Sequence, residues 1–552
     1  MLLDSAHQPA TASGSAPPPR IPLAGRLTPA TLERAAGPVE FGLDDKTRRR
    51  VAECREYTAA AMGDGRAVYG ATTGFGPLVV FPGRADHADQ CDNVIGHLVA
   101  GQGQDLPPAV VRAALTVRLW SLCQGRSGAS PEVVDALRAA LRTPFAPAVP
   151  TYGSVGASGD LIPLAHAAHA LRGQGHAYLG GERLPAAEAL RRAGLSPLEL
   201  DGRDALALVN GTSVTAAAAA LALARLRRSY RSALTLSACL ADLLGAAPAY
   251  LAPQLLRAFG HPGAVRAAAA LRERLAGTVP APGRPLQEPY SIRCTPQLLG
   301  AAEASLGHAG QVIDDDLGGI SDNPLFFAED DLVAHGGNFF GQPVAFASDL
   351  MSITATQLGN LAERQLDLLV DPHRNGGLPP MLSAEPGRQH GVQGVQLAAT
   401  ATVAAMRREA VPASVQSLPT NGHNQDVVPF GTQAALTALA QAERLRWLHG
   451  SLAVALRQAA HLSVRASGRG PGAPYCAAVL KRLASVVAPL DRDRPLDVDV
   501  REAAAVLDRL AEAEAEAGGE AGGEAGPEAE AEAEGRADGR PVESARREEP
   551  QS

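Results

Sequence analysis

Four long segments, residues 211 to about 246, 343 to 370, 390 to 410 and 432 to 462, are rich in alanine and leucine and repeat their apolar positions at helical spacing. Arginine and glutamate are interleaved in them at roughly one helical turn's spacing. Segments of this length most simply pack as an elongated bundle. No alternation of strand and helix supports a doubly wound sheet. Composition agrees, since 46% of the residues are hydrophobic but only 4% aromatic. Alanine and leucine favour helices, whereas β-branched and aromatic residues favour strands. A mainly α protein is expected.

The formal net charge of −8 is unevenly placed. From Ala511 onward there are 13 acidic and 4 basic residues, a net of −9, which leaves residues 1–510 near +1. A near-neutral body lacks the basic face that a nucleic-acid partner needs. The six cysteines at 54, 91, 123, 239, 294 and 476 lie far apart, without a CxxC pair or a His/Cys metal spacing. They read as reduced thiols of a cytoplasmic protein, and no metal site is expected. The opening MLLDSAHQPATASGSAPPP has neither a basic n-region nor a long apolar stretch, so no signal peptide is expected. The most membrane-like run, VTAAAAALALA at 214–224, is too short to span a bilayer and is followed by Arg225, Arg227 and Arg228. A soluble protein without a membrane partner is expected.

Residues 1–20, rich in Pro, Ala and Ser, are expected to be a disordered extension. Residues 512–552 read as an acidic low-complexity tail outside the fold. Between them lie an expected N-terminal domain over 21–205, a central helical bundle over 206–475 and a C-terminal helical segment over 476–511. In the first of these, LTPATLERAAG reads as a short capped helix. Residues 46–62 and 108–124 have helical spacing, and VYGATTGFGPLVVFPG (68–83) is a glycine-rich loop.

One glycine cluster stands apart. GSVGASGDLIPL (153–164) holds three glycines in seven residues. Glycine at that density costs backbone entropy, so the chain needs small residues there. The continuation GDLIPLAHAAHALRG reads as a helix, with Asp160 as its N-cap, Pro163 in its first turn and Gly173 at its end. A nucleophilic serine elbow requires G-x-S-x-G between a strand and a helix. Here Gly159 follows Ser158 one residue early, and no strand precedes it. A phosphate cradle requires G-x-G-x-x-G or a Walker lysine; both are missing, and Asp160 would repel phosphate. A third chemistry uses the backbone. Attack of the Gly159 amide nitrogen on the Ala157 carbonyl closes a five-membered ring, an approach that needs a residue without Cβ. Loss of water from Ser158 then leaves an exocyclic methylene. The product, a methylidene-imidazolone, is an electrophile of a kind no ordinary side chain supplies.

GSVGASGDLIPLAH resembles the signature of the aromatic amino acid ammonia-lyases and aminomutases, which include histidine, phenylalanine and tyrosine ammonia-lyases. VYGATTGFG, LALVNGTSV, LQEPYSIRCTPQLLG, SDNPLFF, HGGNFFGQPVAFASD and SLPTNGHNQDVVPFG resemble further family motifs. The similarity runs from about residue 26 to about 510. It implies a mainly α, fumarase/aspartase-like ammonia-lyase architecture, with an N-terminal prosthetic-group domain and a long central bundle. It implies a methylidene-imidazolone formed autocatalytically from Ala157-Ser158-Gly159, with no external cofactor. It also implies a homotetramer in which several subunits build each active site.

The implied reaction removes ammonia from an aromatic amino acid to give an α,β-unsaturated acid. An amine is a poor leaving group and the β-hydrogen is barely acidic; the electrophile answers the first obstacle and a positioned base the second. By resemblance that base is Tyr69, in the family's mobile loop. A tyrosine has an ordinary pKa of about 10, so its surroundings have to activate it. Arg293 is expected to bind the substrate carboxylate with its planar fork, and Asn323 to add a second donor. Asn210 is expected to hydrogen-bond and polarise the ring's carbonyl oxygen. Gln287 and Tyr290, just before Arg293, would line the same cavity, and Phe339 would form an aromatic wall.

Two places bear on the substrate. In GHLVAG (96–101), phenylalanine lyases typically have Phe-Leu where this chain has His97 and Leu98. Histidine lyases carry the histidine one residue later, and tyrosine lyases show His-Leu as here. A histidine at the far end of the pocket can hydrogen-bond a phenol. In HNQDVVPFG (423–431), histidine lyases carry glutamate at the place of Gln425, and a neutral glutamine suits a neutral ring. Asn421 and Gln425 have the four-residue helical spacing that would aim both into one pocket. The expected activity is that of a tyrosine ammonia-lyase giving p-coumarate. A tyrosine aminomutase giving β-tyrosine is the alternative, followed by a phenylalanine or histidine lyase. Gln90-Cys91 replaces the family's usual Leu-Gln, and VVFPGRADHAD (79–89) is an unusual lid, so the outer pocket is expected to differ. Intact Ala157-Ser158-Gly159, Tyr69 and Arg293 weigh against a non-catalytic assembly protein.

Overall fold

A computed structural model describes residues 17–23, 25–467 and 470–523, the side chains of 465–467 and 518–523 excepted. The expected extension and tail therefore lie outside the described residues over 1–16 and 524–552.

The N-terminal part contains α1 (His87–Leu98), α2 (Pro108–Leu122) and α3 (Leu161–Leu171). Asp86 caps α1 by accepting the Asp89 N–H at 2.8 Å. Short strands β1 (Phe145–Pro147), β2 (His176–Leu179) and β3 (Glu182–Pro185) form an antiparallel sheet beside these helices. The central bundle follows with α4 (Ser213–Leu244), α5 (Thr295–Leu317), α6 (Gln342–Val370), α7 (Gln393–Glu409) and α8 (Gly431–Ser467). The alanine–leucine segments become α4, α6, α7 and α8, as their spacing predicts. The pattern was weaker for α5, which three glycines interrupt (Gly300, Gly307 and Gly310). Between α5 and α6 an antiparallel hairpin, β4 (Leu325–Phe327) and β5 (Leu332–Ala334), carries Asn323 ahead of its first strand and His335 behind its second.

α4 begins with the apolar run 214–224, buried almost all round. A helix that is apolar on every face belongs at the centre of a bundle, and α8 packs against it there. Each leucine so buried contributes roughly 1.5–3 kcal/mol relative to exposure. α4 ends at Gly245, whose φ of +65° closes the helix in the left-handed region. No described helix is long and apolar enough to cross a membrane. The six cysteines are free.

Two local expectations change. α9 (Asp497–Gly523) continues through the boundary expected at 512. Ala511 is buried, and Glu514 accepts hydrogen bonds from Arg274 and from the Tyr475 hydroxyl, each at 2.6 Å. Alternating alanine and glutamate reads as low complexity, yet both are good helix formers and the acids find partners on the bundle. The second change is Asp160. It precedes α3, but its side chain does not cap that helix. Its Oδ2 instead accepts the N–H groups of Val214 and Thr215, at 2.9 and 2.8 Å, and so caps α4.

Candidate active site

The tripeptide lies in a turn that folds back on itself. Gly156 and Gly159, at φ +74° and +67°, make bridge pairings across it, and Gly159 also pairs with Gly211. A Cβ at residue 159 would overlap the Gly211 backbone, so the approach is open only to glycine. Ala157 is buried and Ser158 half-buried. Gln425 Nε2 donates to Ser158 Oγ at 2.9 Å, and Thr420 Oγ1 donates to Gln425 Oε1 at 2.9 Å. Thr420 and Gln425 face each other across a tight turn rather than lying on a helix, with Asn421 at φ +49° and Gly422 at φ +60°. The helical reading of Asn421 and Gln425 is therefore corrected. Asn421 is exposed and sits against the loop at Gly76, whose added Cβ would lie 3.7 Å from the Asn421 amide.

Asn210 ends the helix Asp204–Val209 and is buried beside the tripeptide's partner Gly211. Its Nδ2 donates to the Asn323 carbonyl at 2.9 Å, while its Oδ1 is buried without a partner. An amide NH2 has two N–H groups, so one donor and one acceptor remain to be filled. That orphaned amide and the crevice at Gly159 fit a ring formed from the tripeptide. Asn323 is half-buried, and its Oδ1 accepts the Gly336 N–H at 2.9 Å. Behind it the fully buried Arg203 and Asp322 pair through two hydrogen bonds of 3.0 and 2.8 Å, and Asp322 Oδ1 accepts the Asn323 N–H at 2.7 Å. This support was missed in the sequence, although Asp322 stands next to Asn323 in SDNPLFF.

Tyr69 opens onto a cleft of about 520 Å³, lined also by Thr73, Val79, Asn323 and His335. Its hydroxyl accepts the Gly76 N–H at 2.8 Å, and its backbone N–H donates to His335 Nε2 at 3.3 Å. Burial pushes the Tyr69 phenol above its ordinary value, and the Gly76 donor offsets only part of that. Burial thus works against the activation expected from the sequence. Burial, and then the Arg203 cation, hold His335 below its usual pKa. A neutral imidazole can accept the Tyr69 N–H.

Phe75 joins Tyr69 to His97. Its ring meets Tyr69 edge-on at 5.6 Å and lies 5.4 Å from the His97 ring. His97 is exposed at the end of α1, with Nδ1 bonded to the Asn93 carbonyl at 2.9 Å, and Leu98 beside it is buried. Gln90 does not line the outer pocket. Its Nε2 donates to Gly70 O at 3.2 Å and its Oε1 accepts the Arg84 N–H at 3.1 Å, so it ties both ends of the lid together. Cys91 is buried with its Sγ 3.6 Å from Gly202 O.

Gln287, Tyr290 and Arg293 form a separate group. Gln287 and Tyr290 are exposed, and the Arg293 guanidinium lies 4.5 Å from the Tyr290 ring centre, its buried Nε without a partner. Among the described residues no hydrogen bond or ring contact joins these three to the tripeptide. Phe339 is half-buried in a turn before α6. Among the described residues no cluster of His, Cys, Asp or Glu could hold a metal ion.

With the tripeptide, the tyrosine loop, Asn210 and Asn323 in place, comparison with known proteins defines the class. The family model for aromatic amino acid lyase matches residues 27–485, and the chain belongs to that family. It is a carbon–nitrogen lyase of the ammonia-lyase class. It is 39% identical over 499 residues to the tyrosine ammonia-lyase of Cereibacter sphaeroides, covering 86% of this chain and 94% of that protein. It is 38% identical over 469 residues to the histidine ammonia-lyase of Symbiobacterium thermophilum, covering 84% and 92%. The fold superposes on the tyrosine aminomutase of Streptomyces globisporus with a TM-score of 0.82 and 31% identity, covering 89% of this chain and 97% of that one.

Proposed function

We propose that this chain is a cytoplasmic tyrosine ammonia-lyase, converting L-tyrosine to p-coumarate and ammonia. The observation that carries the substrate assignment is the neutral amide beside Ser158, where Gln425 Nε2 donates to the Ser158 hydroxyl at 2.9 Å. A cationic imidazole substrate would lack a counter-charge there, whereas a neutral phenol needs none.

Ala157, Ser158 and Gly159 would hold the methylidene-imidazolone, which supplies an electrophilic carbon for the substrate amine. Asn210 would place its remaining N–H on the ring's carbonyl oxygen. Tyr69 would take the β-proton at its phenolate oxygen and become the neutral phenol, the Gly76 N–H stabilising the phenolate beforehand. Asn323 and Arg293 would hold the carboxylate and orient the α-carbon. Leu98 and Phe339 would exclude water from the ring, and His97 would meet the phenol. Arg293, Gln287 and Tyr290 would come from a second copy in a homotetramer.

The test is separate incubation of the purified enzyme with tyrosine, phenylalanine and histidine, with products resolved by chromatography. p-Coumarate as the main product supports the reading. β-Tyrosine with little free acid would make the protein a tyrosine aminomutase, the alternative reading. Preferential turnover of phenylalanine or histidine would overturn the substrate.

A further inference from the structure

The turn holding the tripeptide is fastened at both ends by a device that the proposed reaction leaves unused. Ser154 and Asp160 stand immediately outside Val155–Gly159, one at each end, with Ser154 Oγ 2.9 Å from Asp160 Oδ1. Thr432, buried in the first turn of α8, reaches both, with Oγ1 2.7 Å from Ser154 Oγ and 2.6 Å from Asp160 Oδ1. Gln433 Nε2 donates to Ser154 O at 2.9 Å, and Phe430 N donates to Val155 O at 3.1 Å. From the opposite side, Thr215 Oγ1 donates to Asp160 Oδ1 at 2.9 Å. The start of α8, 272 residues away in sequence from Asp160, thus grips the residue before the turn and the residue after it.

We propose that Thr432 is a positioning residue for closure of the ring, an inference that rests on the ring-forming reading of Ala157-Ser158-Gly159. Closure forms a bond from the Gly159 nitrogen to the Ala157 carbonyl carbon. The carbonyl oxygen leaves as water with the Gly159 and Ser158 amide protons, and a carbon–nitrogen double bond takes its place. Ser158 then loses its hydroxyl together with its α-proton as a second water, leaving the methylene. No oxidant or reductant is needed. The obstacle is conformational, because a free five-residue segment spends little time with these two atoms in contact. Tying its ends removes the closure entropy and holds the attacking geometry. Thr432 ties both ends with one hydroxyl, donating to the Asp160 carboxylate and accepting from Ser154, and touches neither reacting atom.

The test follows the intact mass of freshly produced full-length chain over time, for wild type, Thr432→Val, Thr432→Ser and Gln433→Leu, with helical circular dichroism and oligomer size recorded for each. Wild type and Thr432→Ser are expected to lose two waters. Thr432→Val, folded and assembled like wild type, is expected to lose them roughly ten-fold or more slowly. A folded Thr432→Val that matures at the wild-type rate overturns the inference. If Thr432→Val fails to fold, Gln433→Leu decides, since it releases only the Ser154 carbonyl: slowed water loss supports the clasp and an unchanged rate overturns it. A wild-type chain at full mass overturns the ring-forming reading itself, and this inference with it.

Discussion

Gln425 donates its side-chain N–H to the Ser158 hydroxyl across 267 residues of sequence, at 2.9 Å. A neutral amide thus stands beside the residue that, in the proposed function, becomes the reactive methylene. Gln425→Glu replaces that donor with a negative charge, which favours a cationic substrate ring. For tyrosine, kcat/KM should fall by about 10–100-fold, equivalent to about 1.4–2.8 kcal/mol. Use of histidine relative to tyrosine should rise, and steady-state kinetics with both amino acids check it.

His97 donates Nδ1–H to the Asn93 carbonyl, which leaves Nε2 as an acceptor for a phenolic hydroxyl. A site built to bind a hydroxyl rejects the analogue without one. His97→Phe should move the phenylalanine-to-tyrosine ratio of kcat/KM toward phenylalanine by roughly 10–100-fold. An unchanged ratio removes His97 from substrate choice.

Asp316, near the end of α5, has its carboxyl raised to about 7, by burial first and then by the Asp160 charge. The folded pKa lies above the unfolded value of 3.8, so the protonated carboxyl favours the folded state at low pH. That contribution is lost as pH rises from the unfolded toward the folded value. Asp316→Asn should raise the melting temperature more at pH 8 than at pH 5, with a gain at pH 8 of about 1–2 kcal/mol after allowance for its partial exposure. Thermal unfolding at the two pH values checks the sign.

The helices that carry the bundle were legible because alanine and leucine repeat at helical spacing over many turns, enough for α4, α6, α7 and α8 to declare themselves. The need for small residues around Ala157-Ser158-Gly159 was legible because the steric demand at Gly159 is local. What escaped the sequence depends on contacts distant along the chain. Asp160 caps α4 and binds Thr432 of α8, which a rule about the adjacent helix cannot anticipate. Asn421 and Gln425 have helical spacing but sit in a turn, because Gly422 takes a positive φ that breaks any helix there. Spacing is a pattern, and the turn is a conformation. Arg293 illustrates a further limit, since among the described residues no hydrogen bond or ring contact joins it to the tripeptide.

Every step of the proposed reaction depends on Ala157, Ser158 and Gly159 fusing into an electrophilic ring in the mature enzyme. Intact mass spectrometry of the purified wild-type chain, with peptide mapping, decides whether they do. The expected result is a chain two waters lighter than its sequence, the deficit confined to the peptide spanning residues 157–159, in a preparation that turns over tyrosine. A catalytically active preparation whose chain carries its full, undehydrated mass would contradict it.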